Sequence, residues 1–119
     1  MTDQPQAASQ SVMGSVMPPR IWFNRRELDL ILRIYGQLVS EGECRDYAIG
    51  AFGDHAVFCM HRRASEAPTW TVEKRPEMAR KQGAFSVTNA TGQILKRGHE
   101  LAQVLRVFEK RRFDVIAGG

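Results

Sequence analysis

Cysteine is scarce in this chain: Cys44 and Cys59, with fourteen residues between them, are the whole supply. Two thiols cannot build the disulfide framework of a small secreted domain, and they belong to no paired ligand motif. Both are expected to be free and at least partly buried, as in a reducing compartment. A zinc centre needs about four well-placed ligands, and His55, His61 and His99 are not spaced to complete one. No metal and no cofactor is therefore expected. Long apolar runs are missing too. Nothing approaches the ~20 residues of a membrane span, and the start lacks the basic and apolar regions of a signal peptide. The expectation is a cytoplasmic protein without a membrane partner. There is no phosphate-binding glycine loop, no catalytic triad order, no internal repeat and no coiled-coil heptad.

What is present fits one small domain. Of the 119 residues 43% are apolar, enough for a single modest core. Residues 1–19 differ from the rest: they are rich in Gln, Ser, Ala, Met and Pro, and Asp3 is their only charge. They are expected to form a disordered tail, followed by a domain over 20–116 and a flexible end at 117–119.

Spacing predicts the elements. Asn24 and Glu27 have the spacing of a capping box, with Phe23 placed to close over Leu28. Leu28, Ile31, Leu32, Tyr35, Leu38 and Val39 follow at helical intervals up to Gly42. Leu30 and Ile34 widen the apolar surface. Gly36, unfavourable within a helix, points to a close packing contact. Strands are predicted at Asp46–Gly50, Ala56–Arg62, Thr69–Lys74, Phe85–Thr88 and Gln93–Lys96, with turns at Phe52-Gly53-Asp54 and Asn89-Ala90-Thr91-Gly92. A short helix is expected over Pro76–Gln82, closed by Gly83. A last helix is expected from about His99 to Arg112, burying Leu101, Val104, Leu105 and Phe108. Trp22, Tyr35, Phe58, Trp70, Phe85 and Phe108 mostly suit core positions. The order describes an α+β domain: an antiparallel sheet of about five strands in consecutive hairpins, packed by an N-terminal and a C-terminal helix.

Charge is the remaining signal. Basic residues come in adjacent pairs, and residues 61–112 hold twelve Lys and Arg against five acids, a local +7 in a chain of +4. Side chains alternate along a strand, so each doublet puts one cation on each face. In a simple meander the strands ending at Lys74 and Lys96 point the same way. Lys74, Arg75, Arg80, Lys81, Lys96 and Arg97 would then gather at one sheet end, beside Gly98 and His99 at the start of the last helix. Arg62-Arg63 would lie at the opposite end. Such a cluster suits phosphate groups, with Gly98 allowing close approach and His99 a further donor. The bland alternative is a solvated face, because Glu73, Glu77 and Glu100 lie near the same doublets.

Several local sequences add up to a family likeness. Glu43-Cys44-Arg45-Asp46-Tyr47-Ala48-Ile49, Arg62-Arg63-Ala64-Ser65-Glu66, Glu73-Lys74-Arg75-Pro76, Arg80-Lys81-Gln82-Gly83-Ala84 and Leu95-Lys96-Arg97-Gly98-His99-Glu100-Leu101 carry it. The chain resembles, over roughly Ile21 to Arg112, a family of small alphaproteobacterial proteins catalogued as domain of unknown function 2794. That resemblance implies a cytoplasmic bacterial protein and transfers no catalytic residue.

Three functional classes then stand in order. The first is a non-enzymatic accessory or regulatory module binding a polyanion such as nucleic acid. Base readout has little support, since no basic–aromatic ribbon and no RNP-like spacing is present. The second is a protein–protein adaptor, with Met13 and Met17 of the tail ordering on a partner. An enzyme comes last. His61, His99, Glu100, Cys44 and Cys59 are the right residue types, but nothing joins them into a site. His61 shares a strand face with Val57 and Cys59, where a hydrogen-bonded core histidine is the simpler reading.

Overall fold

The computed structural model describes residues 19–118, with side chains described through Glu109. The expected tail lies outside this range except for Pro19. Asn24 starts the first helix, α1 (Arg25–Ser40), as the capping box requires: its side chain accepts from the Glu27 amide, and Glu27 accepts from the Asn24 amide, both at 2.8 Å. Five strands follow, β1 (Asp46–Ala51), β2 (Ala56–His61), β3 (Trp70–Lys74), β4 (Phe85–Asn89) and β5 (Ile94–Gly98), and then a second helix, α2 (Leu101–Gly118). The sheet is antiparallel throughout, in the order β1-β2-β3-β4-β5.

Alternation sorts the side chains. Phe58, Val72 and Val87 lie in one row across the three central strands and are fully buried. With Ala56, Met60 and Trp70 they meet Ile31 and Leu38 of α1 and Leu101, Val104, Leu105 and Phe108 of α2. Each fully buried side chain of this kind contributes roughly 1.5–3 kcal/mol. Trp70 meets the edge of Phe108 at 5.5 Å, and Tyr47 stacks on Phe58 at 4.9 Å. The opposite face carries Val57, Cys59, His61, Thr71, Glu73 and Thr88, all half-buried, together with the buried Ser86, and the core packing of both helices is on the other side.

Four expectations change. Trp22 is 62% exposed. The Ile21 amide bonds to the Phe52 carbonyl, tying this segment to the end of β1, and with Phe23 buried, alternation turns Trp22 outward. The short helix is a single 3₁₀ turn, Pro76–Met78, followed by turns up to Gly83. Seven residues do not offset the cost of helix nucleation. Strand β5 is displaced to Ile94–Gly98 because an irregularity opposite Val87 and Thr88 absorbs a residue, and α2 continues past Arg112. Gly36 packs against nothing: it is exposed, and a Cβ there would have no neighbour within 4 Å.

Gly36→Ala should therefore stabilise the protein by about 0.5–1 kcal/mol, through backbone entropy alone. Urea unfolding reads this directly. A loss of stability would mean that Gly36 faces a neighbour and not solvent.

Candidate functional site

The end of the sheet that holds the central doublets is organised by two glycines. Gly83 has φ of +109°, and a Cβ on it would lie 2.1 Å from the Gly98 backbone. The connection between β3 and β4 therefore rests directly on the end of β5. Arg97 fastens the contact by donating from Nη1 to the Gly83 carbonyl at 3.3 Å. Gly98 itself is close-packed, with its own Cβ position 3.2 Å from Val104. Gly83, Arg97 and Gly98 thus form one junction, with exposed Arg80 and Lys81 on the connection and exposed His99 next along the chain.

Lys74 and Arg75 reach the same end of the sheet but are engaged elsewhere. Lys74 is on the helix side, where Nζ donates to the Trp22 carbonyl at 2.9 Å and to Glu27 Oε1 at 2.8 Å. Both partners of this ion pair are largely shielded from solvent, at 18% and 14% side-chain exposure. Arg75 turns to the other face and meets Glu73 at 3.2 Å, Asp54 at 3.0 Å and Glu77 at 4.0 Å. Its charge is shared among three carboxylates. Lys96 is drawn away by the displaced register: it pairs with Val87, and Gly98, not Lys96, aligns with Phe85 and Lys74.

Lys96 instead lines a groove between β5 and α2, together with Leu95, Gln103, Arg106 and Val107. The groove is open, holds about 500 Å³, and has two cations and no acid in its lining. Sequence reasoning missed Arg106 because a lone arginine on a helix carries no doublet signal. Its helical position, ten residues after Lys96, was the available clue. Arg26 was also missed. It lines a second hollow with Asn24, Glu27, Phe85, Glu100 and Leu101, where the two carboxylates offset it. Arg80, Lys81, Lys96 and Arg106 form no ion pair among the described residues, whereas Arg62, at the far end of the sheet, approaches Glu43 at 3.5 Å.

The residues with general acid–base or nucleophilic chemistry do not meet. His61 is half-buried on the uncovered face rather than in the core, with Nδ1 3.1 Å from the Glu66 carbonyl. Burial pushes the Cys59 thiol above its ordinary pKa, against a smaller opposing effect of its hydrogen bond with Thr71. Cys44 is buried, and among the described residues neither cysteine is part of a disulfide. Among the described residues no three His, Cys, Asp or Glu side chains form a metal-binding group, and no helix is long and apolar enough to cross a membrane. Asp54 is held below the usual aspartate range, first by its hydrogen bond with His55 at 2.6 Å and then by the charge of Arg75.

A family model described as "Protein of unknown function (DUF2794)" matches residues 21–105, most of the chain, and the protein belongs to that family. No curated protein and no solved structure matches it.

Two measurements check this geometry. Gly83→Ala should cost at least ~2 kcal/mol, since the new methyl meets backbone rather than a movable side chain. A neutral effect in denaturant unfolding would show that the junction is loose. The lowered Asp54 pKa means that the ionised form is favoured by folding, so its contribution is present above the unfolded value and fades as pH falls through the folded one. NMR titration should find the Asp54 carboxyl moving up in both His55→Ala and Arg75→Ala, more in the former. An unchanged midpoint in both would remove the cluster.

Proposed function

We propose that this DUF2794 member is a non-enzymatic accessory module that binds a phosphate-rich polyanion, nucleic acid foremost. The contact surface is the groove between β5 and α2 and the junction beside it. The observation that carries the reading is the groove lining: Lys96 and Arg106 over an apolar floor of Leu95 and Val107, with no carboxylate among them. Arg97, turned to the opposite face from Lys96, holds the Gly83–Gly98 contact, and the exposed Arg80 and Lys81 add positive charge on the connection there. Lys74 and Arg75 drop out as ligand contacts, because Glu27 in one case and Glu73 with Asp54 in the other already take their charge.

The chemistry is that of phosphate binding without base readout. No aromatic ring lines the groove, so there is no stacking platform for an unpaired base. Affinity would come from counterion release. Four or five phosphate contacts give a log–log salt slope of about −4 on duplex DNA and about −3 on a single strand. Binding rather than catalysis also agrees with the residues at hand: the thiol with the raised pKa, Cys59, lies on the uncovered face of the sheet, and His99 is exposed at the junction.

Fluorescence anisotropy with labelled duplex and single-stranded oligonucleotides tests the reading. The double variant Lys96→Glu, Arg106→Glu should weaken binding at least tenfold at low salt. Arg62→Glu with Arg63→Glu, at the opposite end of the sheet, should change it less than threefold. Absence of binding by the wild-type protein at low salt, or equal losses in both variants, overturns the proposal.

A further inference from the structure

The sheet ends in two unlike edges. At β5 the register breaks opposite Val87 and Thr88, Lys96 and Arg97 sit on the strand, and α2 packs alongside. Each of these hinders pairing with another strand. At β1, by contrast, six residues, DYAIGA, form a strand without lysine, proline or bulge. Its neighbours are apolar and half out in solvent: Tyr47 and Ile49 on the strand, at 44% exposure each, and Leu32 and Val39 on α1. Helical geometry puts Leu32 and Val39 on the flank of α1 that Tyr35 shares. Tyr35 meets Tyr47 at 5.1 Å, while the other flank, Leu30 and Ile34, turns to α2. The exposed side chains therefore make one strip along the β1 edge.

The backbone of that edge is partly occupied in a definite pattern. The Phe52 amide bonds to the His55 carbonyl, which fixes the parity of the β1–β2 ladder. Residues 46, 48 and 50 bond to β2, and the amides and carbonyls of 47, 49 and 51 point outward. Two of these outward groups are already held within the chain. The Tyr47 amide donates to Asp46 Oδ1 at 2.9 Å, and the Ala51 carbonyl accepts from Arg20 Nη1 at 3.0 Å. Among the described residues, the groups left for a partner are both groups of Ile49, the carbonyl of Tyr47 and the amide of Ala51.

We infer that this edge pairs with the same edge of a second copy, antiparallel about a two-fold axis through Ile49. In that register Ile49 faces Ile49 of the other copy and exchanges both bonds with it. Each Ala51 amide meets the Tyr47 carbonyl opposite. The two positions where a ladder bond would otherwise form are those held by Asp46 in one copy and Arg20 in the other, so opposite charges face each other at both ends of the seam. On the uncovered side Ala48 faces Gly50, over which the Phe52 ring of the same copy lies. No like charges are opposed: Asp46 lies across from Phe52, and Arg45 from Gly53. Both copies of α1 fall on the same side of the joined sheet, with the strips of Leu32, Tyr47, Ile49 and Val39 turned toward the seam.

Light scattering coupled to size-exclusion chromatography, on the full chain over a hundredfold range of concentration, tests the pairing. The expected mass is twice the 13.5 kDa of one chain. Ile49→Lys, an exposed position, should raise the dimer dissociation constant at least tenfold with the circular dichroism spectrum unchanged. Arg20→Glu should weaken the dimer, as should Asp46→Arg, and the two together should recover at least half of the loss. A monomer at every concentration overturns the inference, whatever else the edge holds. So does a dimer that is indifferent to Ile49→Lys, or a charge exchange without recovery.

Discussion

Strict alternation along β2, β3 and β4 is the constraint on which the molecule rests. It aligns Phe58, Val72 and Val87 in one buried row, gives both helices a single face to cover, and leaves Val57, Glu73 and Thr88 on the other. The same rule divides the basic doublets at the strand ends. Lys74 goes under α1 and Arg75 over the uncovered face, so one doublet serves two surfaces. A slip of one residue would bury Glu73 in place of Val72, a change far costlier than any ion pair present could offset. Register is thus what turns a row of cations in sequence into separate roles in space.

Glu27 links this sheet to the first helix. Its Oε1 accepts from the Asn24 amide, closing the capping box, and from Lys74 Nζ, both at 2.8 Å. One carboxylate therefore satisfies a helix start and neutralises a largely shielded lysine from a strand 47 residues away. Losing it would leave Lys74 with the Trp22 carbonyl as its remaining partner, an expensive state for a sheltered charge. The basic character expected at this end of the sheet is correspondingly reduced. It survives there on Arg80, Lys81 and Arg97, while Lys96 joins Arg106 in the groove beside α2.

Local patterns made most of the architecture readable. Asn24 with Glu27, the Leu28–Leu38 periodicity and the Val57/Phe58 alternation each depend on residues near one another, and the helix–five strands–helix order follows from them. What stayed hidden depends on partners distant in sequence. Nothing near Gly36 told that its side of α1 is open, and nothing near Gly83 told that Gly98 lies against it. Trp22 looked like core because it is large and apolar, yet the bond from Ile21 to Phe52 decides which way it points. The candidate site was legible as a place but not as a set. Strand order brings the doublets to one end, whereas Glu27 of α1, which claims Lys74, and Asp54 of the β1–β2 turn, which shares Arg75 with the neighbouring Glu73, are distant in sequence. The break in β5 register, which moves Lys96 toward α2, leaves no local mark at all.

That break has a consequence for how large an assembly can grow. A sheet with two equally open edges can add copies without limit, which is the route to fibres. Here one edge is regular and the other is kinked, charged and flanked by a helix. Joining through the regular edge consumes it, and each outer boundary of the resulting ten-stranded sheet is then a β5. The irregularity opposite Val87 and Thr88 would act as a terminator, making a closed pair the end point of association rather than its first step.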